Sequence, residues 1–173
     1  MGNNGEQLRM LVIGVGNRLR GDDAAGPRVA DNIRSRALPG VHIIDHSGEG
    51  ASLMEAWQSG ETVFLVDAAD SGGESGQIYE FAAHERSLPA RFFRYSTHAF
   101  SVAESIELAR VLDRLPARLH VYAIEGRDFG AGGTMSTEVS RAVEVVSDRI
   151  EALVLGIAHG SNAESDPCTN SVS

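Results

Sequence analysis

The sequence predicts an α/β fold, a three-layer α/β/α sandwich with a twisted, mostly parallel mixed sheet of about five strands. Short apolar runs alternate with segments of helical periodicity, a pattern typical of parallel βαβ units. The turn-rich stretch 70–76 precedes Gln77–Phe81, whose alternating polar and apolar residues predict a half-exposed strand that could be antiparallel. At 173 residues the chain is long enough to bury one continuous core.

The individual elements follow from hydrophobic periodicity. Continuous apolar runs predict four strands, at Met10–Val15, Val41–Asp45, Thr62–Asp67 and Leu119–Glu125. Residues recurring at helical spacing predict four helices, at Ala24–Arg36, Ser52–Gln58, Ser101–Leu115 and Thr137–Leu155. Ser101 and Glu104 form a capping-box pattern, and Pro27 suits the first turn of its helix, so these two helix starts are the best defined.

The chain is expected to contain one folded domain with two polar ends. Residues 1–8 are predicted to be a flexible N-terminus, 9–156 a single α/β domain, and 157–173 a disordered polar tail. The single cysteine, Cys168, lies in that tail and rules out both an intramolecular disulfide and a cysteine-rich zinc site.

Charge and hydropathy exclude several classes of function. A formal net charge of −9 argues against a nucleic-acid partner, because binding phosphates requires a basic surface. The sequence contains neither a signal-peptide pattern nor an apolar run long enough to cross a membrane. We therefore expect a cytoplasmic protein, and we also expect it to be a monomer.

The junction after the first strand is glycine-rich but presents carboxylates. A dinucleotide-binding loop needs a third glycine where this chain has Leu19, and a P-loop needs Lys followed by Ser or Thr where Asp22 and Asp23 stand. Two carboxylates would repel a phosphate, so a nucleotide-binding domain is a minor alternative. A second interpretation is that Asp22 or Asp23 simply caps the following helix.

Two further residues are candidates for the same site. Asp67 follows the third apolar strand, at the edge of an open α/β sheet where ligands gather. Asp45 and Glu125 also follow apolar strands, and Asp67 could equally cap a turn, so position alone does not select it. His98 precedes the capped helix by three residues. With the first-loop Asp, Asp67 and His98 form a donor set that suits nickel, zinc, manganese or iron.

Three segments resemble the hydrogenase maturation endopeptidases. They are Gly14-Val-Gly-Asn17 continuing into Gly21-Asp-Asp23 with Gly26 and Pro27, then Val66-Asp67-Ala68, then Thr97-His98. The resemblance covers about Met10 to Leu155 and implies an α/β sandwich that removes the C-terminal extension from the nickel-loaded large-subunit precursor of a nickel-iron hydrogenase.

The resemblance also implies the site. Asp23, Asp67 and His98 would bind the metal, with Asp23 and Asp67 as tentative catalytic groups and Asn17, Asp22 and His46 as accessory residues. No permanently bound cofactor is expected, since the nickel recognised is the one already placed in the substrate. Either a metal-assisted or an aspartic-type hydrolysis is compatible with these residues.

Some features fall outside the resemblance. The loops 45–50 and 124–126 differ from those of other members and could tune which hydrogenase is accepted. The tripeptide 166–168, Asp-Pro-Cys, is similar to a motif of hydrogenase large subunits, but we interpret it as coincidence because no second Cys or following His completes it. An alternative function is a non-enzymatic metal-binding assembly factor that holds the same precursor without cutting it.

Overall fold

The computed structural model describes residues 10–57, 62–89 and 101–163, and within these ranges the predicted α/β sandwich is confirmed. The strands are β1 Met10–Val15, β2 Val41–His46, β3 Thr62–Ala69, β4 Ile78–Ala82 and β5 Arg118–Glu125. They form one sheet in the order β2-β1-β3-β5-β4. All neighbours pair in parallel except β4, which is antiparallel to β5, as the alternating pattern of Gln77–Phe81 predicted.

Helices cover both faces of this sheet and create two apolar clusters. The helices are α1 Ala25–Ser35, α2 Gly50–Ala56, α3 Val102–Val111 and α4 Thr137–Ala163. Because side chains alternate across a strand, Leu11 and Ile13 of β1 pack with α2 and α3, whereas Met10 and Val12 pack with α1 and α4. The apolar run of β1 is therefore buried on both faces, as expected. In contrast, β2 lies at the edge of the sheet and is only partly buried.

The predicted cap of α3 is confirmed, but the predicted end is wrong. The backbone N–H of Glu104 donates to Ser101 Oγ at 3.3 Å, and the Ser101 N–H donates to the Glu104 carboxylate at 2.7 Å. The helix ends at Val111 instead of Leu115, since Asp113 adopts a left-handed φ of 54°. The N–H groups of Asp113 and Arg114 then donate back to Arg110 and Ala109, which closes a Schellman motif.

Helix α2 starts two residues before the predicted Ser52. The carboxylate of Glu49 accepts hydrogen bonds from the N–H groups of Ala51 at 3.1 Å and Ser52 at 2.9 Å, so Glu49 serves as the N-cap. These bonds lower the pKa of Glu49 to about 2. The predicted last residue, Gln58, lies outside the described residues.

The C-terminal helix continues beyond the predicted boundary at Leu155. Residues 157–163 were assigned to a disordered tail, but α4 extends to Ala163 and Ile157 packs against the α1/α4 side of the core. The contact of the partly buried Ile157 and the lack of a proline before Pro167 allow the helix to continue. Residues 1–9 and 164–173, which hold the rest of the predicted ends, lie outside the described residues. No helix in the described ranges has the length and apolar content needed to span a bilayer.

Candidate active site

The site lies where the strand order reverses. From β1 the chain moves through α1 to β2 on one side, and then through α2 to β3 on the other side of β1. The loops that leave the adjacent strands β1 and β3 therefore diverge, and a crevice opens at their carboxyl ends. A cleft of about 720 Å³ occupies this position, with walls from the first loop, the loop after β2, the end of β3 and the start of α3.

The cleft brings together four of the residues proposed from the sequence. Asn17, Asp23, His46 and Asp67 all line it. Asp22 does not line the cleft, and His98 lies outside the described residues. Among the described residues, no three His, Cys, Asp or Glu side chains cluster closely enough to hold a metal ion. Asp23 and Asp67 thus need a third ligand from elsewhere to complete a metal site.

The first loop is folded around the carboxylate of Asp23. Gly16 has a φ of 135°, which turns the chain so that the N–H of Asn17 donates to Asp23 Oδ2 at 3.1 Å. A 3₁₀ turn, Gly21–Ala24, then leads directly into α1. The loop amide binds a carboxylate of its own chain where a nucleotide-binding loop would bind phosphate. This contact supports the rejection of a phosphate loop.

The helix-capping interpretation of Asp22 and Asp23 is wrong. The residue before α1 is Ala24, and no side chain accepts a hydrogen bond as its N-cap. Instead, α1 begins against the sheet itself, because Gly26 has no Cβ. A Cβ at Gly26 would collide with the carbonyl oxygens of Val15 and Val66. This close approach holds the first turn of α1 between β1 and β3 and so places Asp23 in the cleft.

Asp67 is partly buried beside a second negative charge. It lies near the end of β3 on the α2/α3 side of the sheet, and its Oδ1 accepts a hydrogen bond from the N–H of Ala68 at 2.8 Å. Burial, and next the negative charge of Asp23, raise the pKa of Asp67 to about 8. Two carboxyl groups that cannot both ionise easily share a proton or accept a cation. This electrostatic coupling is the main chemical property of the cleft.

Asp22 has a structural position that the sequence did not reveal. Its side chain is fully buried and points away from the cleft. It accepts backbone hydrogen bonds from Arg127 at 2.8 Å, Asp128 at 3.1 Å and Ser136 at 2.7 Å. Although burial alone would raise the pKa of Asp22, these amide bonds hold it below its ordinary value. Asp22 therefore anchors the loop after β5 against the first loop.

His46 lines the cleft, but both of its ring nitrogens contact its own loop. The N–H of Gly48 donates to Nδ1 at 2.9 Å, and Nε2 lies 3.2 Å from Ser52 Oγ. Because Nδ1 accepts the hydrogen bond from Gly48, a neutral ring carries its hydrogen on Nε2 and donates a hydrogen bond to Ser52 Oγ. These contacts favour a role in shaping the cleft wall over direct metal binding.

The structure also distinguishes Asp45, Asp67 and Glu125, which position at a strand end alone did not distinguish as site residues. Asp45 lines the cleft but binds Arg18, whose Nη2 lies 2.5 Å from Asp45 Oδ2 and whose Nη1 lies 2.5 Å from Asp31. Glu125 is buried and accepts N–H bonds of 2.7 to 3.0 Å from the loop 71–73. Asp67 instead lines the cleft close to the charge of Asp23, and its carboxyl group accepts the N–H of Ala68.

Three cleft residues were missed as candidates. Leu19, Arg20 and Phe129 form part of the cleft wall. Leu19 was considered only as a departure from a dinucleotide-binding loop, and nothing near Phe129 in the sequence indicates that the loop after β5 reaches the first loop. Apolar and cationic residues inside an otherwise acidic loop were the available signal for Leu19 and Arg20.

This geometry defines an α/β protein with a two-carboxylate cleft at the switch point of its sheet. A family model for the hydrogenase maturation protease matches residues 27–154. The hydrogenase expression/formation protein HupD of Bradyrhizobium diazoefficiens is 29% identical over 131 residues, which cover 75% of this chain and 68% of HupD. The hydrogenase 2 maturation protease of Escherichia coli is 28% identical over 120 residues, 68% of this chain and 73% of that protein.

The fold agrees with solved structures of such enzymes. The hydrogenase maturating endopeptidase HybD from E. coli superposes with a TM-score of 0.69 at 20% identity, covering 86% of this chain and 93% of HybD. The chain belongs to the hydrogenase maturation protease family. It is an endopeptidase, a hydrolase that cleaves the C-terminus of a hydrogenase large subunit. An assembly factor without enzymatic activity and a nucleotide-binding domain are accordingly set aside.

Proposed function

We propose that this protease acts on the nickel-loaded large-subunit precursor of a nickel-iron hydrogenase and that Asp23, Asp67 and His98 bind the nickel of that substrate. The observation that carries the proposal is the coupling of Asp23 and Asp67 within one cleft, where the charge of the first raises the pKa of the second. A divalent cation between two carboxylates removes their repulsion. The site therefore favours a substrate that brings a cation with it.

The chemistry of the proposed ligands fits nickel. Carboxylate oxygens and an imidazole nitrogen bind first-row divalent metals and leave positions open for other ligands. His98 stands four residues before Val102, which lines the cleft at the start of α3.

Metal binding by these residues would distinguish the two forms of the precursor. A folded, nickel-loaded precursor gains bonds from the nickel to the cleft, whereas an empty precursor gains none. The protein itself needs no resident cofactor in this scheme, because the metal arrives with the substrate.

The same carboxyl groups can take part in hydrolysis. With a pKa of about 8, Asp67 holds a proton at neutral pH. Binding of the substrate's nickel favours the ionised form, so this proton leaves and Asp67 becomes a carboxylate. A carboxylate next to the scissile bond can accept the proton of an attacking water. Asp23 and Asp67 are therefore proposed as both ligands and tentative catalytic groups.

The test compares nickel-loaded and nickel-free precursor incubated with purified protein, with intact mass as the measure of peptide release. We expect cleavage of the loaded form alone and a loss of 10- to 100-fold or more in His98→Ala. His42→Ala changes an exposed histidine on β2 and serves as the matched control. Equal cleavage of both forms would contradict nickel gating, and full activity of His98→Ala would contradict its role as a ligand.

We also propose that the protein works as a cytoplasmic monomer. The fold described here contains no cysteine, and Cys168 is the single one in the sequence, so no intramolecular disulfide stabilises it. A fold without disulfides suits a reducing compartment. Light scattering during size-exclusion chromatography measures the mass in solution. A mass of twice 18.4 kDa would contradict the monomer.

A further inference from the structure

We propose that Leu19, Arg20 and Phe129, here called the rim, form the surface that binds an extended segment of the precursor beside the bond to be cut. The inference rests on the proposed function and identifies the part of the protein that recognises the polypeptide as distinct from its metal. All three residues line the same cleft as Asp23 and Asp67. A peptide that lies in this cleft can therefore contact both the rim and those carboxylates.

Leu19 is an exposed apolar side chain on a fixed backbone. The residue is 75% exposed, yet its N–H donates to Asn17 Oδ1 at 2.9 Å and its carbonyl accepts from the N–H of Gly132 at 2.7 Å. Its neighbour Arg20 donates its own N–H to the Asn17 carbonyl at 3.2 Å. A leucine held toward solvent by a hydrogen-bonded turn loses little conformational entropy when a partner covers it.

The loop that carries Phe129 is joined to the first loop along its length. The Asp22 carboxylate accepts hydrogen bonds from the backbone N–H groups of Arg127 and Asp128 in this loop. In return, the N–H of Asp22 donates to the Asp128 carbonyl at 2.7 Å. Arg20 Nε donates to the Phe129 carbonyl at 3.1 Å. The rim is thus one surface built from two distant parts of the chain, and its shape is set before any substrate arrives.

The two arginines of the cleft wall differ in their partners. Arg18 binds the carboxylates of both Asp31 and Asp45. In the described ranges no carboxylate pairs with Arg20, whose side-chain hydrogen bond to the Phe129 carbonyl uses Nε alone. The terminal nitrogens of Arg20 can therefore donate to an acceptor on a bound molecule.

These features fit an extended polypeptide that carries an apolar side chain. Leu19 and Phe129 offer apolar contact area, and the guanidinium of Arg20 can donate to a backbone carbonyl of the same segment. The rim is continuous with the cleft of an endopeptidase, so its occupant is the substrate chain. A second copy of this protein is the competing occupant, which the experiment below detects.

The experiment measures cleavage kinetics and binding affinity for the nickel-loaded precursor with Leu19→Ser, Arg20→Gln and a matched control. The control is Val111→Ser, which changes a residue that is 81% exposed at the far end of α3. Val111 is nine residues, about 14 Å along the helix, from the cleft-lining Val102. We expect Leu19→Ser to raise KM about tenfold with kcat nearly unchanged, and Val111→Ser to match the wild type.

The outcomes separate the rim from the proposed function. An unchanged KM in Leu19→Ser, or an equal loss in Val111→Ser, overturns the rim as a binding surface. If the wild type binds precursor without cutting it, the proposed function fails, and the affinities of the same variants still decide on the rim. A wild type that neither binds nor cuts contradicts both. If the wild type dimerises, and Leu19→Ser abolishes the dimer without changing KM, the rim binds a second copy of this protein.

Discussion

Replacing Asp67 with Asn is expected to stabilise the protein at neutral pH while removing a proposed functional carboxyl group. In the folded protein burial and the charge of Asp23 raise the pKa of Asp67 to about 8, whereas its ordinary value is 3.8. The unfolded chain therefore releases this proton between pH 4 and 8 and the folded chain retains it. Stability contributed by the neutral carboxyl is fully present below pH 3.8 and is lost as the pH rises toward 8.

The magnitude follows from the separation of the two pKa values. A pH of 7 is about three units above the ordinary pKa of 3.8, and each unit corresponds to about 1.36 kcal/mol. Ionisation of Asp67 in the unfolded chain therefore disfavours the folded state by up to about 4 kcal/mol. Asn does not ionise, and its side-chain oxygen can keep the bond from the Ala68 N–H. We expect a gain of roughly 2–4 kcal/mol at pH 7, or about 10 °C in Tm.

Thermal unfolding in the presence of a chelator, at several pH values from 5 to 8, measures this effect. The gain in Asp67→Asn should grow with pH across that range. Asp31→Asn is the control of opposite sign, because Arg18 lowers the pKa of Asp31 and its ionised form stabilises the fold above the ordinary value of 3.8. An Asp67→Asn protein that is no more stable than the wild type at pH 7, or whose gain does not vary with pH, would refute the reasoning.

Two other changes test how the cleft is built. Asp22→Asn should weaken the hydrogen bond to at least one of its three backbone amides and destabilise the fold by about 1–3 kcal/mol. Hydrogen exchange at the Arg127 amide should become faster, and unchanged exchange would contradict the anchoring role. Gly26→Ala should destabilise the protein by about 1–3 kcal/mol or more through collision with two carbonyl oxygens. Gly156→Ala, in α4 with open space around it, should instead stabilise by up to about 1 kcal/mol in denaturant titration. Equal effects of the two glycine changes would be inconsistent with the packing described.

Much of the fold was predictable because its signals are local. The buried strand Met10–Val15 and the capping box of Ser101 and Glu104 depend on residues within one element, and both are confirmed. Helix ends were less accurate, since α3 ends through a left-handed Asp113 and α4 continues because Ile157 finds a contact on the core. A pattern of hydrophobic periodicity does not indicate that one aspartate adopts a left-handed conformation. It is also hardly changed by a single apolar residue after the last regular repeat.

The candidate site was predictable only in part for a related reason. Asp22 and Asp23 are adjacent and chemically alike, yet one is buried under backbone amides that lie 105 residues or more away and the other lines the cleft. Asp67 and Glu125 both lie near the ends of apolar strands, but the loop 71–73 binds Glu125 whereas Asp67 faces the charge of Asp23. No local pattern contains these distant partners.

The sequence by itself determined the α/β architecture, the positions of the carboxylates at strand ends and the family resemblance. These properties depend on hydrophobic periodicity and on short motifs, which neighbouring residues specify. The tertiary structure decided which carboxylates meet, because the reversal of strand order places the ends of β1 and β3 beside each other. It also decided their protonation, since burial and the proximity of Asp23 to Asp67 exist only once the sheet and its loops are assembled.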